Sequence, residues 1–324
     1  MPHRARKQRP HILAHHKFLN LPGQVGHLKK KTGLQQYVFI NSKPIKKMKR
    51  INLFLLMASL ITFAACDKIE SDKYVNHAGV TGQWYDDIQT LTDKSQRVYF
   101  EKFTGCLCKN CPDADKKITT AINTYGDKLV VVAIHPLDNA YTRPYPDEPD
   151  LRSEDGKVWA EEFDVNALPI AVANRIFPKF EPNVDVDSSI RANINKPCTI
   201  AVATECQRST EDSLLATVHL EFLRDCPDEL NVTIFVMEDN ILTTQRQSVG
   251  GDILNYAQNH VLRKVVTPIW GAPVDADGKN GTRRFATFGF KASSDWNLAN
   301  CHIVAFVSNR ASKEVINVAE CDIR

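Results

Sequence analysis

No stretch of this 324-residue sequence is apolar for long enough to cross a bilayer as a helix. The longest largely apolar run, Ile51–Ala65, has 15 residues, where a span needs about 20. No acidic residue occurs among the first 65, which hold 13 Lys and Arg. From Cys66 onward the balance reverses to 28 Lys and Arg against 38 Asp and Glu. The formal net charge of +3 therefore conceals an acidic body. A nucleic-acid binder needs a basic face on its folded part, so nucleic acid is excluded as a partner. There is no internal repeat, no Cys/His pairing at zinc-finger spacing and nothing that calls for a cofactor.

The run that is too short to span is well suited to another task. "MKRINLFLLMASLITFAAC", from Met48, has a short basic start, an apolar middle and small residues at its end, the form of a secretory signal peptide. The closing "FAAC" resembles a bacterial lipobox, with Phe63 where leucine is usual. That resemblance implies cleavage before Cys66 and acylation of that residue, and more than one acyl chain gives a stable membrane anchor. Residues 48–65 are then the signal, and the bilayer is a partner through Cys66. Residues 1–47, basic and aperiodic, are either a mis-called extension upstream of a true start at Met48 or a basic tail. Export also places the remaining eight cysteines in an oxidising compartment, where an even number favours disulfides.

Residues 66–95 are polar and read as a tether. "RVYFEKFTG" (97–105) alternates like a strand. From Cys111 the apolar period becomes helical, through Ala114, Ile118, Ala121, Ile122 and Tyr125. Pro112 sits in the first turn and Gly126 at the C-terminal cap. "KLVVVAIH" (128–135) is continuously apolar, as in a strand covered on both faces. Residues 153–163 predict a helix and "LPIAVANRIF" (168–177) a strand opening on Pro169. Residues 187–195 predict a short helix capped by Asp187 or Ser188. Beyond residue 197, alternating segments separated by polar turns predict an antiparallel β-sandwich. They are interrupted by "VGGDILNYAQNHVLRKVV", with a Gly-Gly break and a candidate short helix.

The order strand, Cys108-Lys-Asn-Cys111, helix, buried strand, proline-led strand resembles the thioredoxin fold over residues 96–196. The reading is of an α+β chain, with a thioredoxin-like α/β domain at 96–196 followed by the β-sandwich at 197–324. In that fold Cys108 would lie at a helix N-terminus, where the macrodipole stabilises the thiolate that attacks disulfides. The resemblance makes Cys111 the resolving thiol and Pro169 the cis-proline that positions a substrate strand. The departures are Leu107 in place of the usual aromatic and a third thiol, Cys106, able to divert exchange. Three readings of the cluster stay open: a redox-active pair, a structural disulfide in a binding domain, or a metal held by three thiolates and His135. Cys106, Cys198, Cys206, Cys226, Cys301 and Cys321 are candidates for structural disulfides, with Cys301 and Cys321 expected opposite each other across a hairpin. "DADGKNG" (275–281) starts like a calcium loop but has Ala286 where the closing acid belongs, and reads as a polar turn.

With "FAAC", "FTGCLCKNCP", "LPIAVANR", "NYAQNHVLR" and "CHIVAFVSNRASKEVINVAECDI" together, the chain from Cys66 resembles the twenty-eight-kilodalton outer-membrane lipoprotein family of Bacteroidetes. That resemblance implies an outer-membrane lipid anchor and no settled activity. Two functions follow as expectations: thiol-disulfide exchange on envelope proteins, or non-catalytic binding or adhesion at the surface, to envelope or surface proteins.

Overall fold

The computed structural model describes residues 82–176, 182–209 and 212–323, with side chains of 182–185 left aside. The extension (1–47), the signal (48–65), Cys66 and the start of the tether lie outside the described residues. In chain order the strands and helices are β1 (Trp84–Asp86), β2 (Val98–Phe103), α1 (Cys111–Tyr125), β3 (Leu129–Ile134), α2 (Glu154–Glu162), β4 (Ile170–Ala173) and α3 (Pro182–Ile194). There follow β5 (Ile200–Arg208), β6 (Ser213–Phe222), β7 (Leu230–Glu238), β8 (Ile241–Gln245), β9 (Ile253–Gln258) and β10 (Val261–Val265). The last four are β11 (Ala272–Pro273), β12 (Arg283–Lys291), β13 (Cys301–Asn309) and β14 (Val315–Asp322). No helix of the described residues is long and apolar enough to cross a membrane, which says nothing of strands.

The helices form where local chemistry favours them. α1 opens on Cys111 with Pro112 in its first turn, and Gly126 closes it at φ 57°, its N–H on the Ile122 carbonyl. α2 is capped by Ser153, whose Oγ accepts the Gly156 N–H at 3.0 Å. α3 begins five residues before the expected cap, at Pro182, which puts Asp187 and Ser188 inside the helix.

Three sheets result. One is four-stranded, β1-β12-β6-β5, and antiparallel throughout. The second has the order β14-β13-β7-β10-β3-β2-β4, with β11 also on β7. Within it β10, β3 and β2 run parallel and the other pairings are antiparallel. The third is the hairpin β8-β9. The chain is thus a mixed α/β protein with several sheets.

The division expected at residue 196 is not a division in space. β10, in the C-terminal part, pairs with β3 (Val261 opposite Ala133) and with β7. One sheet therefore contains both segments, and all described residues belong to one compact unit. The expected tether is also corrected from residue 82 onward. Trp84 is buried, donates from Nε1 to the Pro273 carbonyl at 2.8 Å, and its strand pairs with β12. The interrupting segment holds β9 and β10 and no helix: β9 pairs with β8, where Gln258 hydrogen-bonds Thr243 and Gln245, and β10 pairs with β3 and β7.

Two large apolar clusters line the faces of the long sheet. One joins Ile200, Val202, Leu214, Val218 and Phe288 of the four-stranded sheet to Val232, Ile234, Val236, Ile303 and Ala305 of the long one. The other sets Trp159 and Phe163 of α2 with Tyr99, Phe235, Phe306 and Val318 on the opposite face. A third packs α1 and α3 on β2, β3 and β4 through Phe100, Ile118, Val131 and Ile190.

Candidate functional site

β2 and β3 end side by side, and β2 delivers the cysteine loop at that edge, with the Thr104 N–H on the Ile134 carbonyl at 2.9 Å. The loop then turns tightly. Cys108 N–H donates to Gly105 O at 3.0 Å and Cys111 N–H to Cys108 O at 3.2 Å, while Leu107 N–H holds Tyr141 O at 2.9 Å. Position 105 must be glycine, because a Cβ there would lie 2.4 Å from the Tyr141 carbonyl oxygen. Cys108 and Cys111 are joined as a disulfide, with Cα atoms 5.5 Å apart, at the first turn of α1. The Leu168–Pro169 peptide is cis, Pro169 is buried, and Ile170 pairs with Phe103. Pro169 therefore borders the segment that enters the cysteine loop. Cys108, Cys111 and Pro169 come together at one end of the sheet.

What covers them is not visible in the CxxC pattern. Cys108 is 4% exposed and Cys111 fully buried. The β8-β9 hairpin lies on the loop: Gln245 Nε2 donates to the carbonyls of Gly105 and Cys108, both at 3.2 Å, and Arg246 N–H to Cys106 O at 2.8 Å. Gln245 Oε1 accepts from Gln258 Nε2 at 2.9 Å, which also donates to Thr243 Oγ1 at 3.1 Å. The loop that carries Tyr145 and Glu148 clamps the hairpin. Glu148 Oε2 accepts the Thr244 N–H at 2.6 Å, and Tyr145 donates to Asp252 at 2.6 Å. These residues escaped sequence reasoning; the one signal was the alternation of Thr243, Gln245, Tyr256 and Gln258 in strands whose polar side proves to be the buried one.

Cys106 is a separate free thiol, buried, with Sγ 3.9 Å from Thr243 Oγ1 and 3.9 Å from Gln258 Nε2. Burial pushes its thiol up to about 11, so it is protonated near neutrality and a poor nucleophile. That removes the diversion expected of a third reactive sulfur. Beneath the loop Lys102 and Asp115 form an ion pair, and Tyr256 donates to Asp115 at 2.8 Å. His135 is 1% exposed with neither ring nitrogen hydrogen-bonded. Burial, and then the Lys102 charge, push it down to about 3, so it is neutral. With two of the three expected thiolates spent in the disulfide, the thiolate-His135 metal set does not assemble. Among the described residues no group of three or more His, Cys, Asp or Glu is placed to hold a metal.

The other cysteine candidates, Cys198, Cys206, Cys226, Cys301 and Cys321, are free thiols away from this loop. Cys301 and Cys321 are not opposite: Cys321 lies across from Ile303, two residues along, and the bulge between Val307 and Ser308 accounts for one of the two. Cys198 Sγ lies against the Ile200 carbonyl and Asn317, and Cys226 N–H donates to Gly278 O at 2.8 Å. In "DADGKNG", Asp277 accepts from Lys279 N–H and Thr282 Oγ1, as a polar turn does.

A strand, a CxxC disulfide at a helix start, and a cis-proline strand beside it, all in one sheet with a larger β part, define a class of mixed α/β protein. HBP35 of Porphyromonas gingivalis shares this fold, with a TM-score of 0.55 and 17% identity over 71% of this chain and 76% of that chain. A domain of the outer membrane lipoprotein Omp28 from P. gingivalis is 22% identical over 39% of this chain and 89% of that one, with a TM-score of 0.29. No curated protein matches the chain in sequence. The family described as outer membrane protein Omp28 matches residues 157–324, more than half of the chain. The chain belongs to the Omp28 family and is a protein of the outer membrane.

Proposed function

We propose that the protein is a non-catalytic binding protein of the outer membrane, in which Cys108–Cys111 is a shielded structural disulfide. One observation carries this: both cysteines are buried, at 4% and 0% exposure, under a hairpin hydrogen-bonded to their loop. Exchange requires an incoming thiolate to reach a sulfur along the S–S axis, and access decides which disulfides are labile. The outward side of the hairpin supports binding, with Leu242, Val249 and Leu254 at 52%, 80% and 71% exposure. The partners are envelope or surface proteins rather than nucleic acid, given the acidic body of the chain. The architecture in this reading is a thioredoxin-like segment fused to a β-sandwich, supported by the apolar cluster that the four-stranded and long sheets share. The anchor is acylated Cys66, supported by its signal-like context.

A second reading rests on the place of Pro169 beside the loop and on the disulfide at the start of α1. There the hairpin lifts, Cys108 exchanges with a client disulfide and Cys111 resolves the mixed species. Native full-length protein held in mild reductant, then alkylated and analysed by mass spectrometry, separates the two. The shielded disulfide stays closed until denaturant is added, and the protein does not reduce insulin. Rapid native reduction, together with insulin turnover abolished by Cys108→Ala, would overturn the first reading in favour of the second.

A further inference from the structure

β5 is an edge strand of the four-stranded sheet and β14 an edge strand of the long one, and the two edges meet. Asn317 Nδ2 donates to the Ile200 carbonyl at 2.9 Å, across a sequence offset of 117. Cys206 and Ile323 form a parallel bridge with the same offset. Carrying that register along the seam puts Thr204 beside Cys321, and Cys206 one pleat further on the same face. A Thr204 hydrogen bond to the Cys321 thiol agrees with this register. On its other side Cys321 faces Ile303, with Cys301 again one pleat along. Cys206 and Cys301 belong to the apolar cluster between the sheets, and Cys321 packs against it.

Three sulfurs thus gather at one end of an apolar core, in a protein of the outer membrane. Burial pushes these thiols up, Cys206 to about 11 and Cys301 and Cys321 to about 12. Once folded they exchange slowly, so any bond among them forms while the seam is still open. Of the two possible partners, Cys206 is favoured because it sits on the β5 side of the seam, in the bridge two residues beyond Cys321, and within electrostatic reach of that thiol. Diagonal neighbours on one face have Cα atoms about 7–8 Å apart, and a disulfide accepts up to about 6.8 Å. In the structure both are free thiols, so the bond requires the two edges to draw together by about 1 Å.

We propose that Cys206 and Cys321 are joined by a disulfide in the exported protein, fastening the four-stranded sheet to the long one, with Cys301 left as a buried thiol. One S–S bond forms and two S–H bonds break. The two electrons and two protons pass to a dithiol-disulfide oxidant of the envelope, which is itself reduced to its dithiol.

The test is a peptide map of the full-length protein isolated from the outer membrane, denatured in alkylating agent without reductant. The expected result is a Cys206–Cys321 linked peptide, two hydrogens lighter than its parts, with Cys301 alkylated. The link persists in Cys301→Ser, which spares both partners. Alkylation of both Cys206 and Cys321 without reduction, or a Cys301–Cys321 peptide in the native protein, overturns the proposal.

Discussion

β6 and β7 follow one another in the chain, and both are rich in apolar residues, yet they are buried differently. In β6 Leu214, Ala216, Val218 and Leu220 enter the core while Leu215, Thr217 and His219 between them stay half-exposed. In β7 every residue is buried. Leu230, Val232, Ile234 and Val236 face the four-stranded sheet, and Phe235 and Met237 face the cluster around α2. The difference does not come from the strands' own composition. It comes from α2 and the parallel strands, which bring Trp159 against Phe235 at 6.0 Å and cover a face that a free-standing sandwich would leave to water. A strand becomes central through what packs on its second face.

Arg175, just after β4, tests that joint most severely. It is 3% exposed and bonds Glu101 Oε1 through Nε and Nη2 at 2.9 and 2.6 Å. Its guanidinium lies 4.5 Å from the Trp159 ring centre and 4.9 Å from that of Phe306 in β13, so it touches both parts of the chain. Arg175→Met leaves the buried Glu101 carboxylate uncompensated and should cost about 3–5 kcal/mol. Chemical denaturation should still give one transition, shifted to lower denaturant. Two resolved transitions would mean that the N- and C-terminal parts are separable bodies after all.

Much of the N-terminal part was legible. β3 reads as a continuous apolar run because both of its faces are covered, and the helix after CxxC declares itself through Pro112 and Gly126. β7 misleads because Asn231 and Thr233 make it look half-wet. Both are buried, and Asn231 bonds the Trp270 carbonyl and Arg310. For Asn231, polarity fails to report solvent because other elements satisfy the group, whereas the Thr233 hydroxyl is buried without a hydrogen-bond partner. The covering hairpin was illegible for the same reason as Asn231: Gln245 and Gln258, although polar, serve as the lining over Cys106 and Cys108.

The seam between the sheets offers a second, smaller perturbation. Asn317 is 1% exposed; its Oδ1 accepts the Arg97 N–H at 2.9 Å, and its Nδ2 donates to Ser95 O and Ile200 O at 3.1 and 2.9 Å. Asn317→Leu fills similar volume but strands those backbone groups, and should cost about 1–3 kcal/mol by urea denaturation. Thr217→Val, on the half-exposed side of β6, should fall within about 0.5 kcal/mol. Equal losses at the two sites would erase the contrast between the covered and uncovered faces.

The smallest effect is electrostatic and lies at the far end of β13. His302 has its Nε2 3.4 Å from Asp239 and its Nδ1 3.0 Å from Asp322, with Glu320 nearby and His260 on the other side of Asp239. The hydrogen bond to Asp239 raises the His302 pKa above its ordinary value, against the opposing effect of partial burial. The folded state therefore holds this proton more tightly than the unfolded chain does. The resulting stabilisation is complete below the unfolded value of about 6.5 and is lost as pH rises through the folded pKa. His135 works in the opposite sense: its folded pKa is depressed to about 3, so its contribution is complete above about 6.5 and declines as pH falls toward 3. Urea midpoints measured from acid to alkaline pH should show His302→Gln removing only the fall above pH 6.5. An unchanged alkaline limb in that variant would mean that the Asp239–His302 pair contributes nothing to holding β13 against its neighbours.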